Sequence, residues 1–305
     1  MSKTVREVPV VWIQAASDSG CTVSVINSAK PEIHSVLLQE IVPGRHINLR
    51  FQATIMAGQG EPVIRILDAA AESNEGYILV VEGSIPLEEK CCTLGQRDGK
   101  EVGAAERVRE LAHKAAAVIA LGTCACFGGI FASRPNYSRS VGVRELLKRE
   151  RIETPLLNVP GCPPHPDWFL GTVAHVMLFG LPAPDEVDEL GRLKLFYGRL
   201  IHENCPRRAH FDAGRFAASL SEPYCLYLLG CRGPQTSADC PTRKWNNGTN
   251  WCIENNHPCI GCCEPEFPDG TSPFFVNTLG MHAPALRLDE QGMLRPTNTD
   301  SAFLR

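Results

Sequence analysis

The 305 residues are 44% hydrophobic and carry a formal net charge of -4, enough chain for two domains and a substantial core. That charge gives no general footprint for nucleic acid or an anionic membrane surface, and nucleic acid is demoted as a partner. Fourteen cysteines remain to be explained, as disulfides or as metal ligands.

The amino end, MSKTVREVPVVWIQ, has neither an apolar signal region with a small-residue cleavage site nor a twin arginine. The expectation is a cytoplasmic protein, soluble or attached to a membrane through another protein. Such a reducing compartment favours metal over disulfide. Pro9–Gln14 reads as a buried strand, followed by Asp18 and Cys21 in DSGC. Asn48–Thr54 reads as a second strand, Pro62–Ser73 as a helix, and Gly76–Gly83, which contains Glu82, as a third strand. A helix over Ala104–Ala115 leads to a fourth strand, Ala116–Thr123, followed by Cys124. A helix over Gly142–Glu150 leads to a fifth, Thr154–Gly161, followed by Cys162. The apolar run from Trp168 is broken by His175 and by prolines, and at less than the roughly 20 residues of a bilayer span it predicts a buried helix. Strands alternating with amphipathic helices predict an α/β fold with a doubly wound parallel sheet over residues 1–181.

Residues 182–305 lose that rhythm and are rich in Pro, Gly, Asn and Cys, an irregular domain that needs something besides a large apolar core. In doubly wound folds ligands collect beyond the carboxyl ends of the strands, where Asp18, Cys21, Cys124 and Cys162 converge. The irregular half offers His202 and Cys205 in HENC, then Cys225 and Cys231, then Cys240, Cys252, Cys259 and Cys262. Zinc could staple either later set, because a lone C-x-x-C also suits a zinc ribbon. Zinc gives no reason for the site on the sheet edge, whereas iron-sulfur electron carriers hold several clusters in loop-rich chain. Asp18 could equally be a solvated or helix-capping residue ahead of TVSVINS.

SGCTVSVINS, VEGSIP, GTCACFGG, PGCPPHP, HENCPRRAHFDAGRF, LGCRGPQTSADCP and HPCIGCCEPEFPD, in that order between about Trp12 and Asp269, resemble the small, electron-transferring subunit of nickel-iron hydrogenases. The resemblance implies a flavodoxin-like domain followed by a loop-rich iron-sulfur domain, with three clusters. The proximal cluster would be held by Cys21, Cys124 and Cys162 plus position 18, here Asp18 in place of the usual cysteine. The distal cluster would be held by His202, Cys205, Cys225 and Cys231, and the medial one by Cys240, Cys252, Cys259 and Cys262. Many relatives have proline where this chain has Cys252, so all three clusters are expected to be 4Fe-4S. Gly20 and Gly129 exclude the six-cysteine proximal arrangement of one oxygen-tolerant group, and the resemblance is to the oxygen-insensitive actinobacterial-type uptake subgroup. It further implies a large subunit that holds the nickel-iron centre, a dimer of heterodimers and no catalytic residue in this chain. Cys91, Cys92, Cys126 and Cys263 are left without ligand roles, and Glu82 falls near the proximal site. The rival readings are a zinc-stapled flavodoxin-like interaction module without redox activity, and a cluster-bearing subunit of the respiratory NADH dehydrogenase, which would leave the C-terminal ligand sets unexplained.

Overall fold

The computed structural model describes residues 5–39, 43–275, 286–288 and 294–296. Strand β1, Arg6–Gln14, runs into helix α1, Gly20–Ile26. Then come α2, Ile33–Leu38; β2, Arg45–Gln52; α3, Glu61–Glu72; and β3, Ile78–Glu82. A hairpin of β4, Thr93–Arg97, and β5, Lys100–Gly103, precedes α4, Ala104–Lys114. Next are β6, Ala117–Leu121; α5, Thr123–Phe127; α6, Gly129–Ala132; α7, Val143–Glu150; β7, Leu156–Val159; and α8, Pro166–Phe179.

The five strands expected from the apolar runs form one sheet in the order β2-β1-β3-β6-β7, parallel throughout. Counting only its members, this is the 2-1-3-4-5 order of flavodoxin-like folds, which reverses direction between β1 and β3. The central strands β3 and β6 are buried at every residue, as covering on both faces requires. Along β1 the side chains alternate. Val11 and Ile13 join the core with Leu67 of α3, Val108 of α4 and Leu146 of α7, while Trp12 turns the other way and packs on Phe169 of α8 at 5.1 Å.

Two local features differ from the sequence expectation. Strand β2 begins at Arg45 rather than Asn48, because pairing with β1 starts at Arg6 opposite Arg45 and enlists polar residues on an edge strand. The β4–β5 hairpin was not expected. Its turn, Asp98 at φ 52 and Gly99 at φ 75, is an Asp-Gly pair suited to a two-residue turn with both residues left-handed. Helix α8 starts at Pro166, with His165 Nδ1 accepting from the Asp167 amide at 3.0 Å. Among the described residues no helix is long and apolar enough to cross a membrane.

The chain divides into two compact units, Met1–Gly198 with Cys262–Asp269, and Arg199–Gly261 with Gly270–Arg305. The division therefore falls after Gly198 rather than after residue 181. The reason is contacts made by the segment past α8: the Asn158 amide donates to Gly191 O at 2.9 Å, and the Tyr197 hydroxyl donates to Pro160 O at 2.8 Å. The return of Cys262–Asp269 rests on Arg192, buried beside Asp188, which donates to Cys263 O and to Glu264, both at 3.2 Å. The second unit is built from short turns, including the helical turns Ile201–Asn204, Tyr227–Leu229 and Cys240–Arg243. Its buried apolar set includes Ile201, Leu226, Trp251 and Ile253.

Candidate metal centres

Past the end of β1 the chain pairs Ala16 with Ser84 in an isolated antiparallel bridge. It then turns through Ser19 in the left-handed region, φ 65, into α1. Gly83 permits the approach, since a Cβ there would lie 2.4 Å from Ala16 O. The turn places Cys21 at the start of α1, while β6 leads through Gly122 to Cys124 and β7 leads to Cys162. Gly122 has φ +88, and a Cβ on it would sit 2.4 Å from Cys21 Sγ; one on Gly129, φ +51, would sit 2.7 Å from Cys124 Sγ. Both spaces beside sulfur exist because these residues have no side chain.

The first expected set is brought together. Burial first, then the charges of Glu82, Cys124, Asp18 and Cys162, push the Cys21 thiol well above its ordinary range. Burial, Cys124, Cys262 and Asp18 raise Cys162 to about 12. Burial raises Cys124 against the backbone N-H groups of Ile130 and Phe131, which point at its sulfur. Clustered anionic donors of this kind hold protons until a metal displaces them, which is the donor chemistry of a metal-thiolate centre. Asp18 is exposed, and its Oδ1 accepts from the Gly20 amide at 2.8 Å, so it shapes the turn while its charge reaches all three thiols.

In the second unit His202, Cys205, Cys225 and Cys231 line one cavity with Arg207 and Tyr227. His202 Nε2 is buried there and makes no hydrogen bond, an unsatisfied acceptor or ligand atom that would otherwise be costly. Burial and the neighbouring Arg208 lower the His202 pKa, keeping the imidazole in its neutral, metal-binding form. The Gly233 amide approaches Cys231 Sγ at 3.5 Å. Burial pushes Cys225 to about 12 and Cys231 to about 11. An unpaired histidine nitrogen with two buried thiols, Cys225 and Cys231, and the half-buried Cys205 around one cavity fit a cluster site.

The last set is divided. Cys240, Cys252 and Cys259 belong to the second unit, with Cys259 Sγ 3.6 Å from Thr236 Oγ1, whereas Cys262 belongs to the first. Thr123, next to Cys124, donates to Cys262 O and accepts from the Gly161 amide at 2.9 Å. The Cys262 thiol is held below its ordinary range, chiefly by its contact with Cys263 at 3.9 Å and also by the backbone N-H of Cys162. Of the cysteines without an expected ligand role, Cys126 is buried and donates to Ala120 O at 3.3 Å, Cys263 is buried, Cys91 is exposed and Cys92 is half-buried. None of the fourteen forms a disulfide. Among the described residues no three His, Cys, Asp or Glu side chains are grouped as they would be around a single metal ion.

Sequence reasoning missed what surrounds the thiols. Gly122 and Gly129 could have been suspected from GTCACFGG, but the polar cage of Glu82, built from Trp12, Gln14, Ser17 and Thr22, has no sequence signature.

Comparison with known proteins agrees with both halves. The family model for the C-terminal part of the NiFe/NiFeSe hydrogenase small subunit matches residues 197–275, and that of the NADH ubiquinone oxidoreductase 20 Kd subunit matches residues 19–176. The periplasmic [NiFeSe] hydrogenase small subunit of Desulfomicrobium baculatum is 43% identical, over 90% of this chain and 89% of that protein. The crystal structure of a reduced, active form of the Ni-Fe-Se hydrogenase from the same organism superposes with a TM-score of 0.82 at 44% identity, covering 89% of this chain and all (100%) of the matched one. An actinobacterial-type NiFe-hydrogenase from Ralstonia eutropha superposes with a TM-score of 0.83 at 31% identity, covering 94% of this chain and 87% of that one.

Proposed function

Since the chain belongs to the nickel-iron hydrogenase small-subunit family, we propose that it is the electron-conducting subunit of an uptake hydrogenase. In this reading a large subunit splits dihydrogen at a nickel-iron centre, and this chain passes the electrons through three iron-sulfur sites to an acceptor. The observation that supports it is that thiols stand beyond the carboxyl ends of β1, β6 and β7 with their charges acting on one another, while a histidine and three thiols line one cavity of the second unit.

An iron-sulfur cluster supplies one-electron redox chemistry when bound. Cys21, Cys124 and Cys162, with Asp18 as the fourth donor, would hold the proximal one. His202, Cys205, Cys225 and Cys231 would hold the distal one, and Cys240, Cys252, Cys259 and Cys262 the medial one, each expected as 4Fe-4S. The residues around them exclude water, aim backbone N-H groups at sulfur and set the local charge. Neutral His202 leaves the distal site with one negative charge fewer than four thiolates would, favouring its reduced form and electron exit. The particle is proposed to be a dimer of heterodimers in the cytoplasm, or held at a membrane by another protein.

Co-purification of the tagged chain from its native cell, with metal analysis, tests the proposal. A large subunit with nickel and iron, and cluster absorption near 400 nm, is expected; zinc in place of iron and no partner would favour the interaction-module reading. The isolated, cluster-loaded chain should not reduce dyes with dihydrogen, because in this reading its ligand residues are allotted to the three clusters and the nickel is held by the large subunit.

A further inference from the structure

Glu82 is fully buried at the carboxyl end of β3, and among the described residues no cation is paired with it. Neutral groups surround it instead. Trp12 Nε1 donates to Oε2 at 3.1 Å, Gln14 Nε2 to the same oxygen at 3.3 Å, and the Thr22 hydroxyl makes a third contact there. Ser17 Oγ at 3.1 Å and the Thr22 amide at 3.2 Å donate to Oε1.

The direction of these hydrogen bonds is fixed from outside the cage. Gln52 Oε1 accepts from the amides of Thr54 and Ile55 at 2.7 and 2.8 Å, so it is Gln52 Nε2 that faces Thr22 Oγ1, at 2.8 Å. Gln14 Nε2 reaches the same hydroxyl oxygen at 2.9 Å. A hydroxyl has two lone pairs and one proton. Both lone pairs of Thr22 are taken by amides, and its proton is left for Glu82. Ser17 Oγ accepts from the Ser19 amide at 3.0 Å and directs its own proton to Glu82. An indole N-H and a backbone N-H can only donate. Every contact on the carboxyl group is thus donated to it, and a proton on either oxygen would face a donor.

Thr22 follows Cys21 directly, and the charge on Glu82 is, after burial, the largest influence on the Cys21 thiol. We infer that Glu82 is a fixed, buried negative charge that holds down the reduction potential of the proximal cluster, with Thr22 as the positioning residue that couples the two. The inference rests on the proposed function and adds a role for a residue that binds no iron. Adding an electron beside a fixed negative charge in a low-dielectric site is unfavourable, so the proximal site becomes a readier donor to the next one.

The test is potentiometric titration, by electron paramagnetic resonance, of the heterodimer purified with its large subunit. Glu82→Gln should shift the proximal couple positive, by at least tenfold in the ratio of reduced to oxidised cluster at fixed potential (about 59 mV for one electron), and leave the distal couple in place. Glu82→Asp, which keeps the charge, should remain near wild type. An unchanged proximal potential in Glu82→Gln, with all cluster signals present, overturns the inference, whereas absence of iron-sulfur signals from the wild type defeats the functional reading beneath it. If Glu82→Gln does not assemble, redox difference infrared spectra of the wild type and Glu82→Asp decide. A protonated-carboxyl band that moves in the Asp variant overturns the fixed charge, and the absence of one supports it.

Discussion

Gly122 lies so close to Cys21 that a Cβ on it would stand 2.4 Å from the Cys21 sulfur. Gly122→Ala must therefore displace that sulfur as well as strain a backbone at φ 88, ψ 156, an almost exclusively glycine conformation that costs an L-residue about 1 to 3 kcal/mol. The variant should lose stability by at least that amount and lose the proximal cluster, while the distal cluster persists. Iron content, cluster spectra and a denaturation midpoint check this; a full set of wild-type cluster signals would show that Cys21 is not a ligand.

Cys252 is exposed in the second unit and is expected to be the fourth medial thiolate. Intact oxidised enzyme should give no stoichiometric three-iron resonance. Cys252→Pro should create one, with a modest loss of stability. A three-iron signal of full intensity in the unmodified enzyme would reverse the assignment.

His202→Cys adds a negative charge to the distal set and should lower that potential and slow transfer to the acceptor, leaving hydrogen-deuterium exchange at the large subunit unchanged. The same histidine makes a pH prediction for the chain stripped of iron. Burial and Arg208 lower its pKa from the ordinary 6.5, so below that pH the unfolded chain binds more protons than the folded one. Stability from the neutral imidazole is complete above 6.5 and declines as pH falls through it. Denaturation midpoints of the stripped wild type should fall more steeply with acidification than those of His202→Gln; parallel curves would remove His202 as the cause.

Asp18→Cys should give an all-cysteine proximal cluster with altered potential and altered oxygen sensitivity, and Asp18→Ala should leave one iron without a protein donor. Either change removes the bond from the Gly20 amide at 2.8 Å, a net loss of about 1 kcal/mol. If both variants lose only that stability, with unchanged potential and iron content, Asp18 is a turn residue and nothing more.

The parallel sheet was legible because Ile78–Glu82 and Ala117–Leu121, apolar except for Glu82, are buried at every residue. The hairpin Thr93–Gly103 was not, because its short strands are exposed toward the turn and carry no apolar period; the Asp98-Gly99 pair was the available signal. Strand ends pointed to Cys21, Cys124 and Cys162 as candidate ligands, and the family resemblance, through HENC and the motifs after it, pointed to His202, Cys205, Cys225 and Cys231. What no local pattern discloses is action at a distance. Arg192 reaches Cys263 across 71 residues, and the cage of Glu82 draws on Trp12, 70 residues away. Such contacts depend on the completed fold, and each residue alone reads as an ordinary charged or aromatic side chain.

The return of Cys262–Asp269 to the first unit gives this molecule an order of events during its manufacture. A ribosome releases residues 1–198 long before it releases the strip that completes them, because the whole of 199–261 comes between. At the usual 5 to 20 residues per second that interval is roughly 3 to 13 seconds. For that time the nascent sheet waits with Arg192 lacking its partners at Cys263 and Glu264 and Thr123 lacking the carbonyl of Cys262. Only the emergence of Cys262–Asp269 itself supplies those partners and ends the wait.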